Sequence, residues 1–363
     1  MILKFAEQKL AILRLAFTIQ NSYRKSLLSQ LTDIIRLRFG PGKLSASEYY
    51  DYCLYDDNEY DLAAKKEFGG WRINYFIPEK LNSVEWIANS QDKLFFHAAM
   101  SQLGIPSPEI QAITWGKQRF HGNTPMLKDQ QTLLEFFLND ARYPMFCKPT
   151  RGNHGRQAIV VESYDIKNER FLLGNNTRLA AADLIEQLIQ SKGFGYILQD
   201  KLKPHAYLQS ICGDRLSGVR INVLVGSDGP EIHRTVWKIM IGDNMVDNFY
   251  AGTTGNLVGE ICPQSGKILQ VISGKGLSRK RVDRHPDTNH SLDGIILPDW
   301  PEVIELITKA ASIFVGLKWQ GWDIALTDRG PVVIEMNHIN GIGILQNAYG
   351  KGIYSKRLQE MCE

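Results

Sequence analysis

The clearest structural pattern in the sequence is WDIALTDRGPVVIEMN, residues 322–337. Two apolar runs, residues 322–326 and 332–337, flank the segment Thr327-Asp328-Arg329-Gly330-Pro331, which has the composition of a turn. Strand-like runs on both sides of a turn predict an antiparallel β-hairpin. The chemistry of the protein is therefore sought first on the faces of this hairpin.

Three oxygen-bearing side chains share one face of this hairpin. If the turn is symmetric about Arg329, Asp323 faces Glu335, and Asn337 returns to that face two residues later. Two carboxylates and an amide oxygen among apolar neighbours repel unless a hard cation lies between them, which predicts a Mg²⁺ site. The alternative is a solvated sheet face. The joint occurrence of the three residues beside Gly341-Ile342-Gly343 favours the metal site.

A second hairpin lies at residues 219–241, with its turn at Gly226-Ser227-Asp228-Gly229-Pro230. If that turn is symmetric about Asp228, one face carries four polar side chains: Arg220, Asn222, Arg234 and Lys238. The other face is apolar and belongs to the core, so the polar face is expected to look into solvent or a cleft. We favour the cleft, with Arg220 and Lys238 as catalytic candidates and Asn222 as a cofactor-binding candidate.

Lys148 ends a short apolar run and leads into residues 149–156, a loop that contains Gly152 and Gly155. The backbone amides of such a loop can point at an anion, and a lysine beside them suits phosphate binding. A plain turn has the same composition. The chain has no Walker A sequence and no GxGxxG motif, so a nucleotide-binding fold of another kind is required.

Composition sets broad limits on this 363-residue chain. It is 44% apolar, with a formal charge of +3, which predicts two or three packed subdomains and no nucleic-acid-binding tail. The five cysteines form no CxxC pair, as expected in a reducing cytoplasm. No signal peptide and no transmembrane helix are expected, because charged residues interrupt the apolar N-terminal stretch.

The N-terminal residues 1–39 show apolar positions three or four residues apart, with basic residues between them. This pattern predicts two amphipathic helices that end at Gly40-Pro41-Gly42. Such helices can lie on an anionic membrane or dock on a partner, but packing against the protein's own core is commoner and is expected here. Residues 45–89 are aromatic-rich and irregular, and a further helix is predicted from Asp92-Lys93 to Gly104.

The order of these features resembles the ATP-grasp superfamily over about residues 83–350. The resemblance rests on Asp92-Lys93, on Lys148 with its glycine loop, on the segment 197–202, and on the hairpin with Asp323, Glu335 and Asn337. The segments 199–205, 218–220 and 247–252 are similar to the sugar-transfer-associated group within it. That group is associated with polysaccharide and glycoconjugate biosynthesis.

The resemblance implies an α+β fold in which two subdomains grip ATP between antiparallel sheets, with a helical N-terminal extension. It suggests an N-terminal region at 1–82 and an ATP-grasp domain at 83–363. Within that domain, residues 83–200 include the phosphate loop, 201–350 form the metal-binding catalytic part, and 351–363 form a C-terminal tail.

The resemblance also assigns roles to residues of this chain. The residues implied to hold ATP phosphates, or to lie in the loop over them, are Lys93, Lys148, Gly152 and Gly155. Those implied at the adenine hinge and ribose are Gln199, Asp200, Lys201, Leu202 and His205, although many relatives have an acidic residue where Gln199 stands. The implied magnesium ligands are Asp323, Glu335 and Asn337, and Arg220 is expected near the triphosphate or acyl-phosphate.

The implied function is an ATP- and Mg²⁺-dependent ligase that joins a carboxylate to an amine or sugar-linked acceptor through an acyl-phosphate. Enzymes of a glycosyltransferase pathway are possible partners. A kinase that phosphorylates a hydroxyl is one alternative. A non-catalytic nucleotide-binding partner of a glycosyltransferase is another, although the retained lysines and metal ligands argue against it.

Overall fold

The computed structural model describes residues 2–114, 122–151, 157–189 and 195–363. The helices are α1 (Ile2–Tyr23), α2 (Leu27–Phe39), α3 (Ala46–Asp51), α4 (Leu62–Lys66), α5 (Trp71–Leu81), α6 (Val84–Gln91), α7 (Lys93–Gln102), α8 (Gln130–Asn139), α9 (Ala181–Ile189), α10 (Ala206–Cys212), α11 (Trp300–Ala311), α12 (Ile342–Tyr349) and α13 (Lys356–Cys362). The strands are β1 (Ile110–Thr114), β2 (Met126–Leu127), β3 (Met145–Pro149), β4 (Ile159–Asp165), β5 (Arg170–Leu173), β6 (Arg178–Ala180), β7 (Tyr196–Asp200), β8 (Val219–Gly226), β9 (Gly229–Ile239), β10 (Leu257–Ile261), β11 (Ile268–Ser273), β12 (Lys280–Arg281), β13 (Trp319–Thr327) and β14 (Gly330–Asn337).

The strands form two seven-stranded sheets. The first has the order β2-β1-β7-β3-β4-β5-β6, and the second has the order β12-β11-β10-β9-β8-β13-β14. Every strand pair is antiparallel except β1 with β2. The α+β class with antiparallel sheets is therefore confirmed. None of the helices in the described ranges combines the length and apolar character needed to cross a membrane.

Helices pack against the apolar side chains of both sheets. The first sheet shares a core with α8 and α9. One face of the second sheet packs on α7, α10 and α11, and its other face packs on α5, α12 and α13. The second sheet is thus covered on both faces, which corrects the expectation that the polar face of the β8–β9 hairpin looks only into solvent or a cleft.

Both hairpins have two-residue turns, so neither turn is symmetric about the residue that the sequence indicated. Thr327 pairs with Gly330 and Gly226 pairs with Gly229. In each hairpin one extra residue, Ile334 or His233, then bulges out of the ladder and shifts the register by one. The predicted pairing of Asp323 with Glu335 is confirmed because the bulge compensates for the shorter turn.

The N-terminal helices α1 and α2 form as predicted, and α2 ends at Gly40. The expected packing against the protein's own core holds for one side only. Ile19 and Leu37 are buried in an aromatic cluster of residues 44–68, whereas other apolar side chains of both helices are exposed. Residues 45–89, which lack a clear sequence period, contain the short helices α3 to α6.

The N-terminal helical layer is joined to the C-terminal end of the fold by hydrogen bonds. The Gln346 side-chain amide accepts from the Gly69 N–H at 2.7 Å and donates to the Gly69 carbonyl at 2.9 Å. The Tyr354 N–H donates to the Glu67 carbonyl. The side chain of Asn82 is bonded in both directions to the backbone of Trp319, at the start of β13.

Candidate functional site

The predicted site residues meet where the second sheet faces the start of α7 and the end of β3. Asp323 lies on β13, between Arg220 on β8 and Glu335 on β14. The Phe96 ring of α7 packs at a tilt against the Trp322 ring of β13, with ring centroids 6.0 Å apart. This apolar contact helps fix the start of α7, which carries Lys93, beside the acidic hairpin.

Asp323 is the centre of a buried ion-pair network and is only 4% exposed. Arg220 donates two parallel hydrogen bonds of 2.8 Å to its two carboxylate oxygens, and Lys238 Nζ lies 3.0 Å from Oδ1. Burial alone would raise the pKa of Asp323, but Arg220 and Lys238 together hold that pKa well below its usual value. Asp323 is therefore a carboxylate at all ordinary pH values.

Asp247 extends this network on the far side of Lys238. Its Oδ1 accepts from Lys238 Nζ at 3.0 Å and its Oδ2 accepts from the Gly218 N–H at 3.1 Å. A Cβ on Gly218 would lie 2.6 Å from Oδ2 of Asp247, so only glycine allows this approach. Lys238 is thus held between two carboxylates, which raise its pKa against the opposing effect of burial.

Glu335 is less enclosed than Asp323, because its side chain retains 28% of its accessible surface. Its Oε2 lies 3.5 Å from Lys93 Nζ, and its Oε1 accepts from Asn337 Nδ2 at 3.2 Å. The same Asn337 amide donates to Asp323 Oδ2 at 3.3 Å. The hairpin thus brings together the three side chains that the sequence indicated as metal ligands.

Lys148 faces this acidic group from the first sheet. Its backbone pairs with Ile197 of β7, and within the described residues its ammonium makes no hydrogen bond or ion pair. Burial lowers the pKa of Lys148 to about 8; Glu335 and Asp323 act in the opposite direction, and Lys93 acts in the same direction as burial. A partly buried ammonium of this kind suits an anionic ligand such as a phosphate.

The side-chain oxygens of Asp323, Glu335 and Asn337 can hold a divalent cation on one condition. The four lone-pair directions of the Asp323 carboxylate are already filled by Arg220, Lys238 and Asn337, so it must release one bond to bind a metal. Glu335 has free acceptor capacity, and rotating the Asn337 amide turns its oxygen toward the gap. Among described residues, no three His, Cys, Asp or Glu side chains form a metal cluster, so Asn337 is needed as the third ligand.

Two residues of the β8–β9 hairpin do not join this site. Asn222 is fully buried and donates to the Gln320 carbonyl at 3.1 Å. The guanidinium of Arg234 lies over the Tyr349 ring and bonds the carbonyls of Lys351 and Gly352. The segment after α12 takes up the hydrogen bonds of Arg234, and the neighbouring strand β13 takes up that of Asn222.

The predicted hinge lies between the two sheets. Gln199 is buried on β7 and lines a small cavity with Lys93, Lys148 and Ile334. The side chain of Asp200 accepts from Gln111 and Arg142, and Lys201 Nζ donates to Glu162 at 2.6 Å.

Two further predicted residues follow the hinge strand. Leu202 is partly buried, and the ring Nδ1 of His205 accepts from the Tyr207 N–H as the N-cap of α10. A ribose contact by His205 stays a prediction, as do the ATP contacts of the hinge. Gly152 and Gly155, the predicted phosphate-loop glycines, lie outside the described residues.

A match to a protein-family model identifies the family of this chain. The model of the family described as "Sugar-transfer associated ATP-grasp" matches residues 72–363. The chain belongs to the sugar-transfer associated ATP-grasp family. The match of this ATP-grasp protein begins within α5, so the helices α1 to α4 lie outside it. No curated protein matches the sequence significantly.

Several solved structures are similar to this ATP-grasp protein at low identity. D-alanyl-alanine synthetase A from Vibrio cholerae is 12% identical, with a TM-score of 0.42, over 77% of this chain and 66% of that one. D-alanine–D-alanine ligase from Bacillus anthracis, complexed with ATP, is 13% identical, with a TM-score of 0.40, over 77% and 67%. N5-carboxyaminoimidazole ribonucleotide synthetase from Thermotoga maritima is 14% identical, with a TM-score of 0.34, over 69% and 42%. The chain spans less than half of the length of that synthetase.

The structure adds two residues in contact with the site, Asp247 and Asn340, that sequence reasoning did not include, and a third, His338, next to Asn337 in the chain. Asp247 lies in the segment 247–252, which carried part of the family resemblance, so a signal for it existed. Asn340 is fully buried, accepts from Arg220 at its carbonyl and has no hydrogen-bond partner for either side-chain atom among the described residues. His338 Nδ1 lies 2.9 Å from the Ser90 hydroxyl. No sequence pattern indicated Asn340 or His338.

Proposed function

We propose that this chain is an ATP-dependent ligase that activates a carboxylate as an acyl-phosphate and passes it to an amine or sugar-linked acceptor. The sugar-transfer part of this proposal rests on the family description, and we place the reaction in polysaccharide or glycoconjugate assembly. A magnesium ion, bound with ATP, is part of the proposal. Cytoplasmic location is proposed from the cysteine pattern of the sequence.

The observation that carries the proposal is the meeting of unlike charges between the two sheets. Lys93 and Lys148 approach from one side, and Glu335 with Asn337 lies opposite them. Lysines suit the phosphate oxygens of ATP, whereas a carboxylate with an amide oxygen suits a hard divalent cation. A triphosphate with its metal satisfies both sides of this gap at once.

Each side chain has a distinct task in such a reaction. Lys93 and Lys148 bind phosphate oxygens and offset their charge, and Glu335 with Asn337 and Asp323 holds the cation. When bound, Mg²⁺ neutralises charge on the phosphates and polarises the transferred phosphoryl group. Arg220 is kept rigid by its two bonds to Asp323 and presents positive charge to the acyl-phosphate and to the oxyanion that follows.

Lys238 acts on this centre through Asp323 rather than by direct contact. It is buried between Asp247 and Asp323, so it is assigned here as a positioning residue that keeps Asp323 ionised and oriented. This modifies the catalytic role expected from the sequence. A Lys238→Arg variant should retain more activity than Lys238→Met, because charge compensation of Asp323 survives in the first.

The test is trapping of the activated carboxylate. Purified protein with MgATP is offered amino acids, sugar acids and amino sugars, and ADP release is measured with and without hydroxylamine. An acyl-phosphate gives a hydroxamate, whereas a phosphorylated hydroxyl is stable to hydroxylamine and to acid. Hydroxamate formation supports the ligase, a stable phosphoester would establish the kinase alternative, and ATP binding without ADP release on any substrate would favour the non-catalytic one.

Glu335→Gln supplies the matched variant for this assay. We expect it to abolish turnover, because the cation loses its most accessible anionic ligand. Glu305→Gln on the exposed side of α11 is the control and should leave the rate unchanged, because α11 packs on the apolar face of the hairpin, opposite to the face with Asp323 and Glu335. Full activity of Glu335→Gln with Mg²⁺ would refute the metal assignment.

A further inference from the structure

Helix α2 buries polar side chains and exposes apolar ones, which is the reverse of the usual arrangement in a soluble protein. Its buried residues are Gln30, Asp33 and Leu37. Its exposed residues include four large apolar side chains that are 49–79% exposed: Leu28, Leu31, Ile35 and Phe39. At about 100° per residue the centres of these two faces lie roughly 180° apart, so the apolar stripe points directly away from the protein.

The inward polar face is held by specific bonds, so the helix cannot turn its apolar face inward. Asp33 pairs with Lys25 at 2.6 Å and with Lys65 at 3.1 Å, and Asp57 of the neighbouring segment pairs with the same two lysines. Gln30 donates to the carbonyls of Ala16 and Lys25 and accepts from the Tyr50 hydroxyl. A buried network with these partners is costly to break.

Helix α1 adds a second apolar stripe to the same helix pair. Leu10, Leu13 and Phe17, spaced by three and four residues, are 51–56% exposed, while Ala16 and Ile19 pack inward. The two helices are in contact, because Gln30 of α2 donates to the Ala16 carbonyl of α1, and both carry exposed apolar side chains in a number that monomeric soluble proteins rarely show. Like the rest of the N-terminal helices, this surface lies outside the residues that match the family model.

The charge around this surface indicates what covers it. Residues 1–43 contain eight Lys or Arg and two Asp or Glu, a formal charge of +6, whereas the whole chain is +3. The other residues therefore carry a formal charge of −3 together. On α2, Arg36 and Arg38 lie on opposite flanks of the apolar stripe, about 95° and 65° from its centre.

We propose that the α1–α2 surface is an interfacial anchor that docks the protein on an anionic lipid bilayer. The apolar stripes enter the boundary between headgroups and acyl chains, and the long arginine side chains on either flank reach the lipid phosphates. A second copy of this chain would bring two strongly positive surfaces together, which opposes self-association.

Vesicle sedimentation tests this proposal with the full-length protein. Phosphatidylcholine vesicles are compared with vesicles that contain about 30 mol% phosphatidylglycerol, and we expect at least about tenfold tighter binding to the anionic ones. Leu28→Ser with Leu31→Gln should weaken that binding at least about tenfold, and so should Arg36→Glu with Arg38→Glu. None of the four residues belongs to the buried network, so circular dichroism should confirm that both variants fold.

Matched controls distinguish binding by this surface from non-specific hydrophobic or electrostatic binding. Val315→Ser with Ile296→Gln removes apolar side chains of similar exposure from elsewhere, and Arg170→Glu with Arg178→Glu reverses two exposed charges on β5 and β6. Both controls should sediment like the original protein. Equal weakening by the controls overturns the proposal, as does wild-type protein that stays in solution with both vesicles. If that unbound protein is a dimer which Leu28→Ser with Leu31→Gln dissociates, the surface is instead an interface between copies.

Discussion

Lys148 shows how a single residue can be unfavourable for folding and favourable for ligand binding. Burial lowers its pKa to about 8, so at neutral pH it is mostly charged in a place that disfavours charge. The unfolded chain holds this proton more tightly, so the folding cost of the charged lysine fades as the pH rises from about 8 towards its ordinary value. A bound phosphate removes the same cost by supplying the missing counter-charge.

We therefore predict that ATP affinity falls as the pH rises above about 8, because the unliganded protein must first take up a proton at Lys148. Calorimetry at a series of pH values from neutral to alkaline gives the dissociation constants. Lys148→Arg should flatten this dependence, since a guanidinium stays charged, and Lys148→Ala should weaken binding about tenfold to a hundredfold at neutral pH. The unliganded melting temperature of Lys148→Ala should hardly fall. A large fall with unchanged ATP affinity would make Lys148 a structural residue.

Asp323 is the shared partner of two buried cations, in addition to its proposed role as a metal ligand. Considered only as a metal ligand, Asp323→Asn would be a mild change, because an amide oxygen still coordinates. In the structure, however, it leaves Arg220 and Lys238 buried with one carboxylate fewer. We predict a loss of about 3–5 kcal/mol in the free energy of unfolding, measured with urea. Asp283→Asn, which breaks an exposed pair with Arg281, is the control and should cost at most about 1 kcal/mol. Equal losses would contradict the buried-network assignment.

Both β-hairpins could be predicted from the sequence, but their turn lengths and β-bulges could not. Alternation and turn residues fix which side chains share a face, and so Asp323, Glu335 and Asn337 could be placed together. The bulges at Ile334 and His233 carry no comparable signal, and the correct pairing arose because bulge and turn length offset each other. What packs on a face is also not encoded locally.

Other parts were missed for reasons of length and distance along the chain. Helices α3 and α4 have six and five residues, too few to show a period, and are stabilised by the aromatic cluster around them. Arg234 was expected in the cleft because it is charged and, by the alternation of side chains along a strand, lies on the same face as Arg220. In the structure its partners are backbone carbonyls more than a hundred residues away. Only the three-dimensional fold shows such pairs.

The bulge residue Ile334 gives the hairpin a wall for the cavity between the sheets, together with Phe96 and Ile197. We predict that Ile334→Ala weakens ATP binding about fivefold, which corresponds to about 1 kcal/mol of lost apolar contact. The pairing of Asp323 with Glu335 should remain, so the Mg²⁺ dependence of binding should not change. Leu269→Ala, half-exposed on β11, is the control and should bind ATP normally. Unchanged affinity in Ile334→Ala would place the nucleotide elsewhere.

The N-terminal helices divide into two groups by their contacts with the rest of the protein. No α1 or α2 side chain that the structure describes lies in the candidate site, whereas α5 packs on the second sheet and the loop before it is bonded to Gln346. We predict that deleting residues 1–39 leaves ATP affinity unchanged but lowers solubility, because the cluster with Tyr49 and Tyr55 loses its cover. Deleting residues 1–70 should prevent stable folding. Calorimetry and urea unfolding of the two truncated proteins separate these effects, and loss of ATP affinity in a folded 40–363 protein would show that α1 and α2 help to form the site.

The hydrogen bonds between Gln346 and Gly69 join residues that are 277 positions apart. A ribosome adding about 5–20 residues per second needs roughly 15–55 s to make the chain between them. During that time residues 42–81 have left the ribosome without the partners that complete their packing. The newly synthesised N-terminal helices, with their exposed apolar stripe, therefore cannot complete their packing until the last part of the chain has been made. A chaperone or an early lipid contact has its longest opportunity to act during this interval.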